Sequence, residues 1–239
     1  MKIASWNLNH RTIEKPLPDA AGRFLAELEA DIISMSEYVD GLSRDTFKDD
    51  LKKAGYIHQL ISPRMGKNNQ IFIGSKHPLQ IGDLTPPSLT DAATTNFLHV
   101  KLAGKGFEFI GIRAPAYKLT SERTEYWQQF GEILRSVAGR SLVVAGDLNY
   151  DPFPGATSKA DSITFKLAEK FTIPNPKGTW SYISIDGKKT SRIDHAIVSE
   201  KVRVLSAEYL TEWKGVQLAG SKEMAAITDH AVLVFDIEV

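Results

Sequence analysis

The chain contains the stretch Val143-Val144-Ala145-Gly146-Asp147-Leu148-Asn149, in which an acid and an amide follow a short apolar run. The small apolar residues predict a buried strand, and Gly146 frees the backbone at its end. Because side chains alternate along a strand, we expect Asp147 and Asn149 on the same side of the chain. Asp-x-Asn alone is more typical of a turn. At the carboxyl end of a strand, where α/β proteins bind ligands, it also predicts a functional site.

The composition is that of an ordinary globular protein. Of the 239 residues, 42% are apolar and 24% are charged. That length allows one large domain or two small ones. No repeat or linker is evident, so we expect residues 1–239 to form a single domain, and we expect a monomer. No apolar run approaches the roughly 20 residues of a membrane helix, and the amino end lacks the pattern of a signal peptide. We therefore expect no membrane association and a cytoplasmic location.

Charge and cysteine content exclude some kinds of chemistry. Lysine plus arginine equals aspartate plus glutamate, 29 each, which argues against tight non-specific binding to polyanions. The chain has no cysteine, which excludes disulfides, cysteine nucleophiles and thiolate metal sites. A local basic rim around an acidic site remains compatible with the balanced charge.

Strand-like segments outnumber helical ones. The clearest helix is predicted over Ser121–Ala138, with Thr120 or Ser121 as its cap, and weaker helices over Asp19–Glu29, Arg44–Ala54 and Ser162–Phe171. The segment Asp83–Thr95 is interpreted as a loop. Strands are predicted over Lys2–Asn7, Asp31–Ser36, Tyr56–Ser62, Gln70–Ser75, Phe97–Leu102, Phe107–Ile112, Leu142–Gly146, Trp180–Ile185, Arg192–Val198, Val204–Leu210 and Ala231–Ile237. This mixture predicts an α/β fold of two packed sheets with helices outside.

Five short motifs place polar residues at strand ends where packing does not require them. In chain order they are Trp6-Asn7-Leu8-Asn9, the segment Asp31–Glu37, Gly146-Asp147-Leu148-Asn149, Ser191-Arg192-Ile193-Asp194-His195 and Thr228-Asp229-His230-Ala231. Each motif is weak by itself, and a strand-end acid is often only a solvated side chain. Together and in this order they span nearly the whole chain.

This series of motifs resembles the endonuclease/exonuclease/phosphatase superfamily, which includes deoxyribonuclease I, exonuclease III-type abasic-site endonucleases, sphingomyelinases and inositol polyphosphate phosphatases. The resemblance runs from Ile3 to the carboxyl end. It implies a deoxyribonuclease I-like four-layered α/β sandwich, that is, two packed mixed β-sheets flanked by helices. It also implies divalent-metal-dependent hydrolysis of phosphodiesters.

A metal site is expected because a hard divalent cation held by carboxylate oxygens neutralises the charge that develops on a phosphodiester. Glu37 is the leading candidate ligand on the chemistry and on the resemblance. The resemblance adds Asn7 near the metal, and Asp229 would add negative charge for a metal or orient the network. The expected ion is Mg²⁺, with Mn²⁺ as a substitute.

The remaining motif residues suit the hydrolytic step. Asp147 would hold or deprotonate the attacking water, and Asn149 would donate to a phosphate oxygen. His230 would contact the phosphate or act as the base, with Asp194 fixing its tautomer. The sequence leaves open whether Asp147 or His230 takes the proton. His195 is expected to face away from the site, since it follows Asp194 directly on a strand.

Arg113 departs from the family pattern. Many nucleases of the family carry tyrosine or histidine at the end of this strand, where the present chain has Ile112-Arg113-Ala114-Pro115. A guanidinium grips phosphate oxygens in a planar fork. We therefore interpret Arg113 as a substitute phosphate ligand, the alternative being a surface arginine before a turn.

The substrate is predicted less directly. Trp180 and Tyr182 resemble the exonuclease III-type arrangement around a nucleic-acid pocket, or are simply aromatic residues of a strand. The residues Lys188, Lys189 and Arg192 form a short basic loop that would track a phosphate backbone. Nucleic acid is therefore the expected partner. The alternatives are a small phosphorylated substrate, such as an inositol phosphate, lipid head group or nucleotide, and a binding domain without catalytic activity.

Overall fold

Two six-stranded mixed β-sheets, here called sheet A and sheet B, form the centre of the protein. The structure is a computed structural model that describes residues 1–9, 16–116, 118–153 and 170–239. The strands are β1 (Lys2–Asn7), β2 (Ile32–Tyr38), β3 (His58–Ile61), β4 (Gln70–Ser75), β5 (Leu79–Ile81), β6 (Phe97–Leu102), β7 (Phe107–Arg113), β8 (Ser141–Asp147), β9 (Phe171–Thr172), β10 (Tyr182–Ile183), β11 (Thr190–Ser191), β12 (Asp194–Ser199), β13 (Arg203–Leu210), β14 (Glu212–Trp213), β15 (Val216–Gln217) and β16 (Val232–Glu238). The α-helices are α1 (Asp19–Leu28), α2 (Asp45–Lys53), α3 (Asp91–Thr95) and α4 (Thr120–Ser136), and short 3₁₀ helices span Leu42–Arg44 and Lys222–Met224.

Each large sheet is built around one parallel strand pair. Sheet A has the order β13-β16-β1-β2-β4-β3, and sheet B has the order β5-β6-β7-β8-β12-β9. The parallel pairs are β1–β2 and β7–β8, whose strands end at the same edge of their own sheet. Strands β16 and β12 run antiparallel to β1 and β8, so they begin at that edge. Two short hairpins, β10–β11 and β14–β15, lie outside the large sheets.

Three apolar clusters separate four layers. The central cluster lies between the sheets and includes Ile3, Phe109 and Phe235. A second joins sheet A to α1 and α2, and a third joins sheet B to α4. The layers are therefore helices, sheet A, sheet B and helices, which is the α/β sandwich that the sequence predicts.

Helix α4 illustrates why an apolar stripe becomes a helix on a sheet. Tyr126, Trp127, Phe130 and Leu134 recur at helical spacing and are buried against sheet B. The predicted cap is wrong, because Thr120 is already helical and Leu119 occupies the cap position without a side-chain hydrogen bond. The helix is stabilised mainly by packing of its apolar face, in keeping with the small contribution of a single cap.

The other predictions hold with small shifts of boundary, apart from three segments. The supposed loop over Asp83–Thr95 contains α3, which Thr90 caps by accepting from the Ala93 amide at 3.3 Å. The predicted helix over Ser162–Phe171 lies outside the described residues except at its end, where Phe171 opens β9. Trp180–Ile185 retains only the short strand β10. No helix in the described ranges is long and apolar enough to cross a membrane.

Candidate active site

Side-chain alternation points several polar residues into the space between the two sheets, at the edge where β1 and β8 end. Along β8, Ala145 belongs to the inter-sheet core, so Asp147 two residues further faces the same way. The same parity applies to Asn7 at the end of β1, to Arg113 at the end of β7 and to Asp194 at the start of β12. The apolar core therefore gives way to a polar layer at this edge.

Strand register fixes Asp147 between two charged neighbours. It pairs with Arg113 across the parallel β7–β8 ladder and with Asp194 across the antiparallel β8–β12 ladder. Gly146 permits this arrangement, since its φ is 154° and an added Cβ would lie 1.8 Å from the carbonyl oxygen of Ile112. A side chain at this position would force β7 and β8 apart.

The Asp147 carboxylate is buried and held by amide groups. Its Oδ2 accepts from Nδ2 of Asn7 at 2.9 Å, and its Oδ1 accepts from the backbone amide of Asn149 at 2.8 Å. Burial raises the pKa of Asp147 to about 6, and the nearby Asp194 adds to the rise while His230 opposes it. The raised pKa of Asp147 therefore reflects its burial first and the neighbouring Asp194 carboxylate second.

Glu37 reaches the site through a β-bulge. The register of β2 against β4 shifts between Met35 and Tyr38, so β2 carries one extra residue, and Glu37 has a φ of 52°. Simple alternation would put Glu37 on the helix-facing side with Met35. The bulge instead brings its Oε1 within 3.4 Å of Nδ2 of Asn7 and 2.7 Å of Nε of Arg113. Such a left-handed backbone costs on the order of 1–3 kcal/mol and is found at functional sites.

His230 and Asp194 form a buried pair. Nδ1 of His230 donates to Oδ2 of Asp194 at 2.9 Å, and its Nε2 lies 3.8 Å from Oδ1 of Asp229. The ring of Tyr182 lies against the imidazole with centroids 5.0 Å apart, and the indole of Trp6 donates to the His230 carbonyl. Backbone and side chain of His230 are therefore both fixed.

The surrounding carboxylates favour the imidazolium form of His230. Burial by itself lowers the pKa of this histidine, but Asp194, Asp147 and Asp229 outweigh burial and raise it to about 9. Asp194 carries most of this effect because it both hydrogen-bonds the ring and supplies charge.

Asn149 contacts the protein itself. Its Nδ2 donates to the Ala114 carbonyl at 2.6 Å and lies 3.4 Å from Oδ2 of Asp147, and its φ is 49°. Asn149 therefore ties the end of β7 to the end of β8 and helps to orient Asp147. The predicted donation to a phosphate oxygen stays a prediction.

His195 lies on the opposite face of β12 from Asp194. Its Nε2 contacts the Arg192 carbonyl at 2.7 Å, and its ring packs near Tyr209 and Phe153. The Arg192 guanidinium lies over the rings of Phe153 and Tyr209, at 4.9 and 5.8 Å, and donates to Asn175. The inclusion of Arg192 in a phosphate-tracking loop is therefore not supported by its contacts, whereas Lys188 and Lys189 are exposed.

Two small hydroxyl residues support the site, and their roles were not predicted. The buried Ser181 Oγ accepts from the backbone amides of Ile193 and Asp194 at 2.9 and 3.0 Å. Thr228 Oγ1 donates to the carbonyl of Asn7 at 2.9 Å. The sequence signal that could have identified Ser181 is its place between the aromatic residues Trp180 and Tyr182 of a strand-like segment. Its flanking residues differ, since Tyr182 contacts His230 while Trp180 packs against the inter-sheet core.

The donor atoms of this site fit a hard divalent cation. Asn7, Glu37 and Asp229 offer amide and carboxylate oxygens, which Mg²⁺ and Mn²⁺ prefer. Burial raises the pKa of Asp229, and the charge of Glu37 contributes to that rise. The described site carries more negative than positive groups: Glu37, Asp147, Asp194 and Asp229 against Arg113 and His230. A bound cation would offset this excess.

A second acidic group lies away from this edge. The ligand atoms of Asp83, His99 and Glu108 lie within 4.8 Å of one another. Arg140 already pairs with both carboxylates, at 2.9 and 3.1 Å, and the Leu84 amide donates to Nδ1 of His99. These groups are engaged in a network within the protein and offer a poorer site for a metal.

The family model for the Endonuclease/Exonuclease/phosphatase family matches residues 4–230. The chain belongs to this family, whose members are hydrolases of phosphoester bonds and generally use divalent metals.

Solved structures show the same fold. The chain is similar to an AP endonuclease from Archaeoglobus fulgidus and to the 3′–5′ exonuclease NExo from Neisseria meningitidis, each with 17% identity, a TM-score of 0.74 and full coverage of both chains. It is also similar to D. rerio TDP2 complexed with a single-strand DNA product, with 13% identity, a TM-score of 0.69 and coverage of 100% and 99%. No curated protein sequence matches the chain. The deoxyribonuclease I-like fold predicted from the sequence is confirmed.

Proposed function

We propose that the protein is a divalent-metal-dependent phosphodiester hydrolase that acts as a nuclease on DNA or RNA. The observation that carries the proposal is the convergence of Asp147, His230, Asp194 and Glu37 at one edge of the two sheets. Both sheets contribute to this site, so we also propose that residues 1–239 act as one domain. We also propose that the protein acts as a monomer.

His230 and Asp147 divide the proton chemistry in this proposal. Asp194 holds the Nδ1–H of His230, which leaves Nε2 as the nitrogen available to substrate. With carboxylates on several sides, the imidazolium donates a hydrogen bond to a phosphate oxygen. Asp147, held by Asn7 and by the amide of Asn149, orients the attacking water and accepts its proton.

Glu37, Asn7 and Asp229 would hold the metal ion. The bound ion would supply charge neutralisation for the phosphate. Arg113 lies beside Glu37 and would grip phosphate oxygens through its terminal nitrogens. Asn149 lies next to Asp147 and would contribute its amide to the same phosphate or, as its present contacts favour, position Asp147.

Nucleic acid is proposed as the substrate because the site adjoins an exposed basic hairpin. The hairpin β10–β11 begins at Tyr182, which contacts His230, and it carries the exposed Lys188 and Lys189. The similar TDP2 structure contains a DNA product. A small phosphorylated substrate is the alternative, since the same chemistry would serve a nucleotide or an inositol phosphate.

A cleavage assay with labelled substrates tests the proposal. The panel contains single-stranded DNA, duplex DNA with and without an abasic site, RNA and a small phosphate monoester. We expect cutting of a polymer with Mg²⁺ or Mn²⁺, none with a chelator, and loss of about 100-fold or more in Asp147→Asn, Glu37→Gln and His230→Ala. Asp49→Asn is the matched control, because Asp49 is exposed on α2 and pairs with the surface residue Lys52.

Three results would change the proposal. Turnover of the monoester alone would identify a small-molecule phosphatase. No turnover of any substrate by the folded wild-type protein would favour a binding domain. Full activity in Asp147→Asn would remove Asp147 from the proposed mechanism.

A further inference from the structure

Arg113 lies between two carboxylates of the site. Its Nε is 2.7 Å from Oε1 of Glu37 and 3.8 Å from Oδ2 of Asp147, and its side chain is mostly buried. A guanidinium carries a delocalised positive charge. The arginine therefore supplies positive charge at the position where Glu37 would bind a metal ion.

The geometry of this contact is that of an ion pair without an aligned hydrogen bond. The Arg113 Nε is buried and has no hydrogen-bond partner among the described residues, despite its closeness to Glu37. Within the same part of the chain, neither terminal nitrogen of Arg113 has a hydrogen bond or ion pair. An arginine that served only to stabilise the fold would be expected to donate hydrogen bonds from the N–H groups of its guanidinium to the protein.

Backbone contacts show that the position itself is fixed. The Arg113 amide donates to the Asn96 carbonyl at 2.9 Å, and Arg113 pairs with Asp147 in the β7–β8 ladder. Only the side chain is able to move without disrupting the sheet. A metal ion on Glu37 would repel the guanidinium strongly, because charges a few ångströms apart in a buried site are weakly screened.

We propose that Arg113 is an internal counter-ion of Glu37, which a divalent metal displaces from the carboxylate when it binds. The released guanidinium then has all its donors free for a phosphate group. Arg113 thus weakens metal binding in the absence of phosphate and couples the two ligands, since by linkage each strengthens the binding of the other. This inference rests on the proposed function and makes Arg113 a positioning residue as well as a phosphate ligand.

Mn²⁺ binding tests the inference without any assay of activity. Free Mn²⁺ is measured by electron paramagnetic resonance against wild type, Arg113→Gln, Arg113→Lys and Glu37→Gln, with and without inorganic phosphate. We expect Arg113→Gln to bind Mn²⁺ about tenfold or more tightly than wild type, and Arg113→Lys to stay near wild type because it keeps the charge. Phosphate should raise the Mn²⁺ affinity of wild type several-fold and leave that of Arg113→Gln unchanged.

The outcomes separate this inference from the proposed function. An unchanged or weaker affinity in Arg113→Gln, or tightening in Arg113→Lys as well, overturns the counter-ion role. The proposed function can survive such a result. If Glu37→Gln no longer binds Mn²⁺ and wild type cleaves substrate, metal-dependent hydrolysis stands and only the counter-ion role fails. If neither wild type nor Arg113→Gln binds Mn²⁺, both proposals fail. Wild type provides a test that needs no variant, since absence of any phosphate effect on its Mn²⁺ affinity also contradicts the coupling.

Discussion

At the scale of single residues, the site depends on groups that hold other groups. Asp194 orients His230, Asn7 donates to both Glu37 and Asp147, and Ser181 holds the backbone at Asp194. Asp194 and Ser181 act on neighbouring groups and need not touch the substrate themselves. Their effect is to fix charged side chains in a buried space where misplaced charges are costly.

Ser181→Ala tests this supporting role. The substitution leaves two buried backbone amides, those of Ile193 and Asp194, without their acceptor, so we expect a loss of about 1–3 kcal/mol in the free energy of unfolding. Cleavage should also slow, because the start of β12 is no longer held. Urea unfolding gives the stability, and Ser206→Ala is the control because its hydroxyl donates to Asp236 at an exposed position. Equal stability of the two variants would contradict the role of Ser181.

At the scale of elements, β7 and β8 pair closely enough to exclude a side chain at Gly146. The pair carries Arg113 and Asp147 in register, so their relative position follows from the ladder. A bulge in β2 performs the corresponding task for Glu37. The ends of these three strands therefore set the geometry of the charged groups.

Gly146→Ala tests the role of this ladder. The new Cβ would meet the Ile112 carbonyl at 1.8 Å, and φ at this position is 154°, so we expect a loss of about 3 kcal/mol or more in the free energy of unfolding. Gly139→Ala is the matched control, since its added Cβ has no atom of the described residues within 4 Å apart from its own chain neighbours. Urea unfolding of both variants makes the comparison. Similar stability of the two would show that β7 and β8 tolerate the added methyl group.

At the scale of the whole molecule, all three apolar clusters include or adjoin tyrosine rings. Tyr38 and Tyr56 pack between sheet A and its helices, and Tyr209 packs between the sheets. Burial raises the pKa of each phenol well above its usual value of about 10, and nearby aspartates add to the effect. The folded state therefore favours the protonated, neutral form of these phenols.

Stability should fall in alkali for this reason. Below about pH 10 these phenols are neutral in the folded and unfolded states, and their contribution to the free energy of unfolding is fully present. Above that pH the unfolded chain loses phenol protons that the folded chain retains, so unfolding becomes more favourable. We expect a lower free energy of unfolding at pH 11 than at pH 8. Tyr56→Phe should reduce this difference, although it loses the hydrogen bond to the Leu25 carbonyl. An identical pH dependence in wild type and Tyr56→Phe would exclude a contribution from Tyr56.

Much of the fold follows from local patterns. The apolar stripe of α4 and the short strand-like runs of β1, β7 and β8 predicted these elements to within a few residues. Short elements were missed, such as α3 and β11, because a few residues carry too little periodic signal.

The sequence by itself determined which residue types stand at the strand ends and which neighbouring residues take opposite faces of a strand. His195 faces away from Asp194 because alternation is a local property of the chain. The tertiary structure alone decided that Asn7 meets Asp147, 140 residues away on the other sheet, and that a bulge turns Glu37 towards Arg113. Those contacts depend on how two sheets pack and on a shift of register, and neither leaves a periodic pattern in the sequence.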